Sequence, residues 1–194
     1  IGERMTTDQR IPLISATGST RMGKAVGPAV AARLGRTILE LGGNNAIIIT
    51  PDADRQLALS SALFGAVGTA GQRCTTTRRL IIQESVFDEI ADQLMHAYGQ
   101  LSIGNPLDEQ HHVGPLIDKE AVEMYSRALS EIRAQGGRTL VEGEVLEGPG
   151  YESGCYVKPA IFEVKNHYDI VQQETFAPIL YLIRYTDIEE AISL

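Results

Sequence analysis

Gly68-Thr69-Ala70-Gly71-Gln72-Arg73-Cys74-Thr75 sets one cysteine in a run of small and polar residues. Small residues let a backbone come close to a ligand, so a thiol placed here can act as a nucleophile. Cysteine is also among the most often buried residue types, and an inert core thiol is the competing reading. Working outward, an apolar helical pattern precedes the run. It starts at Pro51-Asp52-Ala53-Asp54, and Leu57, Phe64 and Val67, with the small Ser61, recur on what is expected to be its inner face. Before that, Ala46 to Thr50 is mostly apolar, as expected of a buried parallel strand. On the other side, Arg78 to Gln83 reads as a further strand.

The same alternation runs through the rest of the chain. Ile11 to Ala16 reads as a short buried strand, and Thr17-Gly18-Ser19-Thr20 as a turn into a helix capped by Ser19 or Thr20. Helix N-terminal amides attract phosphate, so this turn is a candidate pyrophosphate seat, although a plain N-cap is the commoner use of such residues. Pro28 is expected to kink or end that helix. Thr37 to Leu41 is the next strand, with Glu40 near its C-terminal end, where ligands of open α/β sheets bind. Further on, Ser85 to Leu101 reads as an amphipathic helix capped by Ser85, with Val86, Ile90, Leu94 and Ala97 inward. Lys119 to Gln135 reads as a second, stopped by Gly136-Gly137. Thr139–Glu142, Tyr156–Val164 and Ile179–Tyr185 are strands, and Gly143 to Gly154 is a Gly-rich loop. Strands alternating with helices predict an α/β fold with a mainly parallel sheet flanked by helices.

Four stretches together carry a resemblance. Leu39-Glu40-Leu41-Gly42-Gly43-Asn44-Asn45 and the Cys74 run are similar to the E-L-G-G and G-Q-x-C boxes of the aldehyde dehydrogenases. Glu174-Thr175-Phe176-Ala177-Pro178 resembles their E-x-F-G-P, with Ala177 replacing the usual glycine. Thr17-Gly18-Ser19-Thr20 with Gly23 resembles T-G-S-T-x-x-G. The wording of the boxes is most similar to the antiquitin-like branch, the aminoadipate-semialdehyde dehydrogenases.

The resemblance implies a division at 1–41, the end of an NAD-binding domain, and 42–194, a catalytic domain, with further chain on both sides. It implies Cys74 as nucleophile and Glu40 as general base. Thr17, Gly18, Ser19, Gly23, Leu41, Gly42, Glu174 and Phe176 would contact NAD. No G-x-G-x-x-G is present, and the family binds its dinucleotide without one. Arg73, next to the nucleophile, is a candidate clamp for a substrate carboxylate, because a guanidinium holds that group in bidentate fashion; an outward arginine paired with a surface acid is the alternative. The partner implied is a small-molecule aldehyde, in an enzyme expected to be a homodimer or homotetramer. A cofactor-free hydrolase using Cys74 and Glu40, and a non-catalytic folding or assembly piece, remain open as alternatives.

Composition narrows the field. The net charge of −8 over 194 residues argues against nucleic acid and anionic membrane surfaces as partners. No run approaches the ~18 apolar residues of a membrane span. Two cysteines, Cys74 and Cys155, make no disulfide framework, which fits a reducing, cytoplasmic setting. Cys155 reads as a structural or surface thiol, and the His111-His112 pair as solvated. No metal-ligand spacing is found among the four histidines, and none of the expected site residues is a metal ligand.

Overall fold

The computed structural model describes residues 1–194. The chain forms two compact units, Ile1–Gly43 and Asn44–Leu194. Each unit is α/β.

The first unit contains α1 (Gly2–Thr7), β1 (Leu13–Thr17), α2 (Thr20–Ala31) and β2 (Arg36–Glu40). β1 and β2 pair in parallel, with Thr17 opposite Glu40. β1 starts two residues later than its apolar run suggests, since Pro12 lacks the N–H a ladder needs, and only Ile14 in it is buried. Ser19 caps α2, its hydroxyl accepting from Met22 N–H at 3.1 Å. Pro28 does not stop α2 at once. The helix runs to Ala31, and Ala32 N–H still bonds the Pro28 carbonyl.

The second unit is built on a five-stranded sheet in the order β3-β4-β7-β6-β5. Its strands are β3 (Asn45–Ile49), β4 (Thr77–Gln83), β5 (Arg138–Val141), β6 (Ala160–Glu163) and β7 (Ile179–Tyr185). All pairings are parallel except β5 with β6. The helices are α3 (Arg55–Val67), α4 (Glu84–Gly99), α5 (Lys119–Ala134) and α6 (Ile188–Ser193). β7 is the central strand, and all but Arg184 of its residues are buried, matching its near-continuous apolar sequence. β3 is an edge strand in which only Ile49 is buried, not the wholly buried strand its composition suggests.

Two local expectations are corrected. α3 packs inward through Ala62, Ala66 and Val67, while Leu57 and Phe64 are about two-thirds exposed at 64% and 66%. The helix is apolar nearly all round, so spacing alone does not choose the buried face. α4 is capped by Gln83, whose Oε1 accepts from Ser85 N–H at 2.7 Å, so Ser85 sits inside the first turn. The histidine pair is partly solvated, His112 exposed and His111 half-buried, and both rings are also bonded. His111 Nδ1 lies 2.8 Å from Ser102 Oγ, and His112 Nδ1 accepts from Ser102 N–H at 3.0 Å, which pins the loop between α4 and α5. No helix is long and apolar enough to cross a membrane.

Candidate active site

In the second unit, α3 delivers the chain to the nucleophile turn. Asp54 caps the helix, accepting from Leu57 N–H at 2.9 Å. After Gly68 the backbone turns left-handed for three residues, Thr69 (φ 54°), Ala70 (φ 52°) and Gly71 (φ 70°). A Cβ on Gly71 would stand 2.5 Å from the carbonyl carbon and oxygen of Ala177. Only glycine meets both demands, a positive φ and direct contact with another backbone. The cysteine turn and the Glu174–Pro178 segment are thus pressed together at Gly71 and Ala177.

The turn is held from several directions. Gln72 Oε1 accepts from Ile117 N–H at 2.8 Å, and its amide donates to the carbonyls of Thr69 and Pro115. Arg73 N–H donates to Thr76 Oγ1, and Thr76 N–H returns to the Arg73 carbonyl. Asn45 Nδ2 donates to the carbonyl of Cys74 at 2.6 Å and to that of Thr76 at 3.0 Å. Cys74 itself is exposed and not in a disulfide. A fixed backbone under an exposed thiol suits a nucleophile and answers the core-thiol reading. Cys155 is half-buried, its Sγ 3.6 Å from the Ser153 carbonyl.

The residue that ties this region together is Arg78, whose side chain is 1% exposed. Its Nη1 donates to the carbonyls of Thr175 at 2.8 Å and Gly71 at 3.3 Å. Its Nη2 donates to the Arg73 carbonyl and to Glu174 Oε1, both at 3.2 Å. The guanidinium carbon is 5.4 Å from the centre of the Phe176 ring. Burial pushes the Arg78 guanidinium down from its ordinary value, and the Glu174 carboxylate opposes that shift. Arg73 instead stacks on Phe64 at 5.2 Å and forms no ion pair with any acid of the chain.

Sequence reasoning missed Arg78 and Asn45. The available signal was a charged residue near the start of the apolar strand Thr77–Gln83, since charges are buried only when paired. Asn45 carried no signal, because its bonds to Cys74 and Thr76 depend on where the long connection returns.

In the first unit, Gly18 N–H donates to the Glu40 carbonyl at 3.0 Å, so the Thr17–Thr20 turn and Glu40 share one end of the two-stranded sheet. Thr17, Gly18, Ser19 and Glu40 are exposed there, while Leu41 and Gly42 are half-buried. Gly23 is buried, and a Cβ on it would meet Leu41 Cδ1 at 2.5 Å. The small residue at 23 therefore seats Leu41, a use the phosphate reading did not include. Beside this turn lies a cleft of about 710 Å³ walled mainly by apolar residues, among them Ile14, Met22, Val26 and Ala29. No group of three or more His, Cys, Asp or Glu side chains is arranged to hold a metal ion.

Residues 1–194 match the model of the aldehyde dehydrogenase family. The chain is 46% identical over 194 residues to aldehyde dehydrogenase family 7 member A1 of Brassica napus, covering 100% of this chain and 38% of that one. It is 50% identical over 191 residues to alpha-aminoadipic semialdehyde dehydrogenase of Mus musculus, covering 98% of this chain and 35% of the other. The chain thus spans well under half the length of these relatives. Among solved structures, betaine aldehyde dehydrogenase from Staphylococcus aureus in complex with NAD+ superimposes with a TM-score of 0.96 at 29% identity, over 100% of this chain and 39% of that one.

Proposed function

The chain belongs to the aldehyde dehydrogenase family, and from that premise we propose that the enzyme carrying it oxidises an aldehyde to a carboxylic acid through Cys74. The observation that supports this most is the exposed Cys74 thiol on a turn whose backbone is held by Asn45, Gln72 and Arg78. An aldehyde carbon carries no leaving group, so oxidation starts with addition of a nucleophile. The Cys74 thiolate adds to that carbon and gives a thiohemiacetal oxyanion. The Cys74 N–H makes no hydrogen bond within the chain and can donate to this oxyanion. Loss of hydride from the carbon leaves a thioester on Cys74. Glu40 then takes a proton from water, the water attacks the thioester, and the acid departs as the thiol reforms.

The residues present fit a dinucleotide. The first unit offers an apolar cleft beside the capped start of α2, where unpaired N–H groups suit phosphate. The second offers a carboxylate fixed by a guanidinium and a phenyl ring that is 37% exposed. Thr17, Gly18 and Ser19 would hold the pyrophosphate, and Glu174 the hydroxyls of a ribose. Phe176, Leu41 and Gly42 would lie against the nicotinamide. NAD, when bound, supplies the acceptor for the hydride.

Arg73 and the relatives named alpha-aminoadipic semialdehyde dehydrogenase support a reading of the substrate class. Arg73 is half-buried, stacked on Phe64 and unpaired with any acid of the chain, which leaves its donors for a substrate carboxylate. We propose aminoadipate semialdehyde as the substrate, in a homodimeric or homotetrameric enzyme.

The test is NADH formation, followed by absorbance, in the full-length enzyme that carries this chain. Aminoadipate semialdehyde is expected to be strongly preferred over an aliphatic aldehyde, and Cys74→Ala to abolish turnover of both. Arg73→Ala is expected to raise KM for the amino-acid aldehyde roughly tenfold or more, the equivalent of one charge-assisted contact, with little effect on the aliphatic one. Equal losses on both substrates would remove Arg73 from recognition, and full activity without Cys74 would remove the mechanism.

A further inference from the structure

We propose that Arg78 is a positioning residue that sets the Glu174 carboxylate and the Cys74 turn relative to each other, so that cofactor hold and thiol presentation are coupled through one guanidinium. The inference rests on the roles read above for Cys74 and Glu174. Arg78 is not next to either of them in sequence. It is placed by β4, a strand buried between β3 and β7, and its side chain reaches two segments about a hundred residues apart in the chain.

The geometry uses what only arginine has. One terminal nitrogen bonds Gly71 and Thr175, and the other bonds Arg73 and Glu174, so each nitrogen spans both segments. A guanidinium is a flat fork that can serve four acceptors in fixed directions, whereas an ammonium is a point with three donors. The three carbonyls neutralise no charge. Glu174 is an acid paired with this buried cation, so the carboxylate is drawn to a single position by a group with almost no freedom to move. Phe176 lies over the same guanidinium, which extends the hold to the ring proposed to face the nicotinamide. A purely structural staple at this place would not need to end on a partly exposed carboxylate of the cofactor-facing segment.

The experiment uses the full-length enzyme with four variants and two readouts that need no turnover: the Kd for NAD by calorimetry, and the rate of Cys74 alkylation by iodoacetamide. Arg78→Lys keeps the charge but cannot bridge the two segments. It is expected to weaken NAD roughly tenfold to a hundredfold, the range for a lost charge-assisted bond, and to change the alkylation rate severalfold. Adding Glu174→Gln to it should weaken NAD little further, since both act through one contact. Arg184→Met, which breaks the separate Arg184–Glu163 pair, should lower Tm while leaving both readouts at wild type. If Arg78→Lys behaves like Arg184→Met, a Tm loss alone, the proposal is overturned. Should Arg78→Lys fail to fold, Glu174→Gln by itself carries the test: an alkylation rate equal to wild type would show that the carboxylate and the turn are not coupled. Wild-type enzyme that binds no NAD would instead remove the reading of Glu174, while a change in alkylation with Arg78→Lys would still show its hold on the turn.

Discussion

Thr69, Ala70 and Gly71 wind the backbone left-handed immediately before the nucleophile. For residues with a Cβ this conformation costs roughly 1–2 kcal/mol each, and such strain persists where surrounding contacts over-determine it. Here those contacts are the Gln72 bonds, the Arg78 fork and the close approach to Ala177. Thr69→Gly relieves strain at an exposed site and should leave thermal stability unchanged or raise it by up to about 1 kcal/mol, while loosening the turn and lowering kcat. Gly71→Ala should do the opposite to stability, lowering it by more than about 1 kcal/mol, because its methyl group would enter the Ala177 carbonyl. Calorimetric Tm with single-turnover rates checks both, and a stable Gly71→Ala enzyme would mean the turn can shift away from Ala177. Cys74, Glu40 and Glu174 stand out in the sequence as candidates because their neighbours form recognisable boxes. Arg78 does not, because its meaning lies in acceptors that folding brings from Gly71 and Thr175.

The elements around the core show the same contrast between local and remote information. Caps that need only three or four residues were read closely: Ser19 caps α2, although Gln83 took the place expected of Ser85. Buried faces were read well where polar residues marked the opposite side, as in α4, where Val86, Ile90 and Leu94 are buried. They were misread in α3, where little polarity contrasts the two faces. On β6 and β7, Glu163 and Arg184 form an ion pair that pattern reading did not anticipate. Arg184 Nε donates to Glu163 Oε1 at 2.8 Å, and its guanidinium stacks on Phe87 at 3.6 Å. Partial burial pushes the Glu163 carboxyl up, but hydrogen bonds from Arg184 and Arg138 outweigh it and hold the group below its ordinary 4.5. A carboxylate with a lowered value in the folded state stabilises fully above its unfolded value, and the gain is lost as pH falls through the folded one. Tm should therefore fall as pH drops below about 4.5. Glu163→Gln should start from a lower Tm at pH 7 and fall less steeply in acid. Parallel Tm curves for the two proteins from pH 7 to pH 3 would assign the acid sensitivity to other groups.

Across the whole chain, strand–helix alternation was enough to give the α/β class, but the strand order was not in the sequence. β4 lies beside β7, a pairing between distant segments that no local pattern encodes, and β3 became an edge strand despite its apolar composition. That same distribution of contacts makes the two units unequal. Asn44–Leu194 centres on β4 and β7, whose apolar residues are buried on both faces. Ile1–Gly43 has a two-stranded sheet in which Leu13 and Ile38 are 41% and 53% exposed, and its buried side chains are few, Ile14 and Val30 among them. Two strands alone are marginal in water, and local opening is easiest where little apolar surface is buried. Hydrogen exchange on this 194-residue chain is therefore expected to label the β1 and β2 amides orders of magnitude faster than those of β4 and β7. Proton exchange slowed equally in β1 and β7 would mean that Leu13 and Ile38 are covered in solution, as by a second copy of the chain. The concentration dependence of the exchange separates these outcomes, because protection by a second copy weakens on dilution and protection within one chain does not.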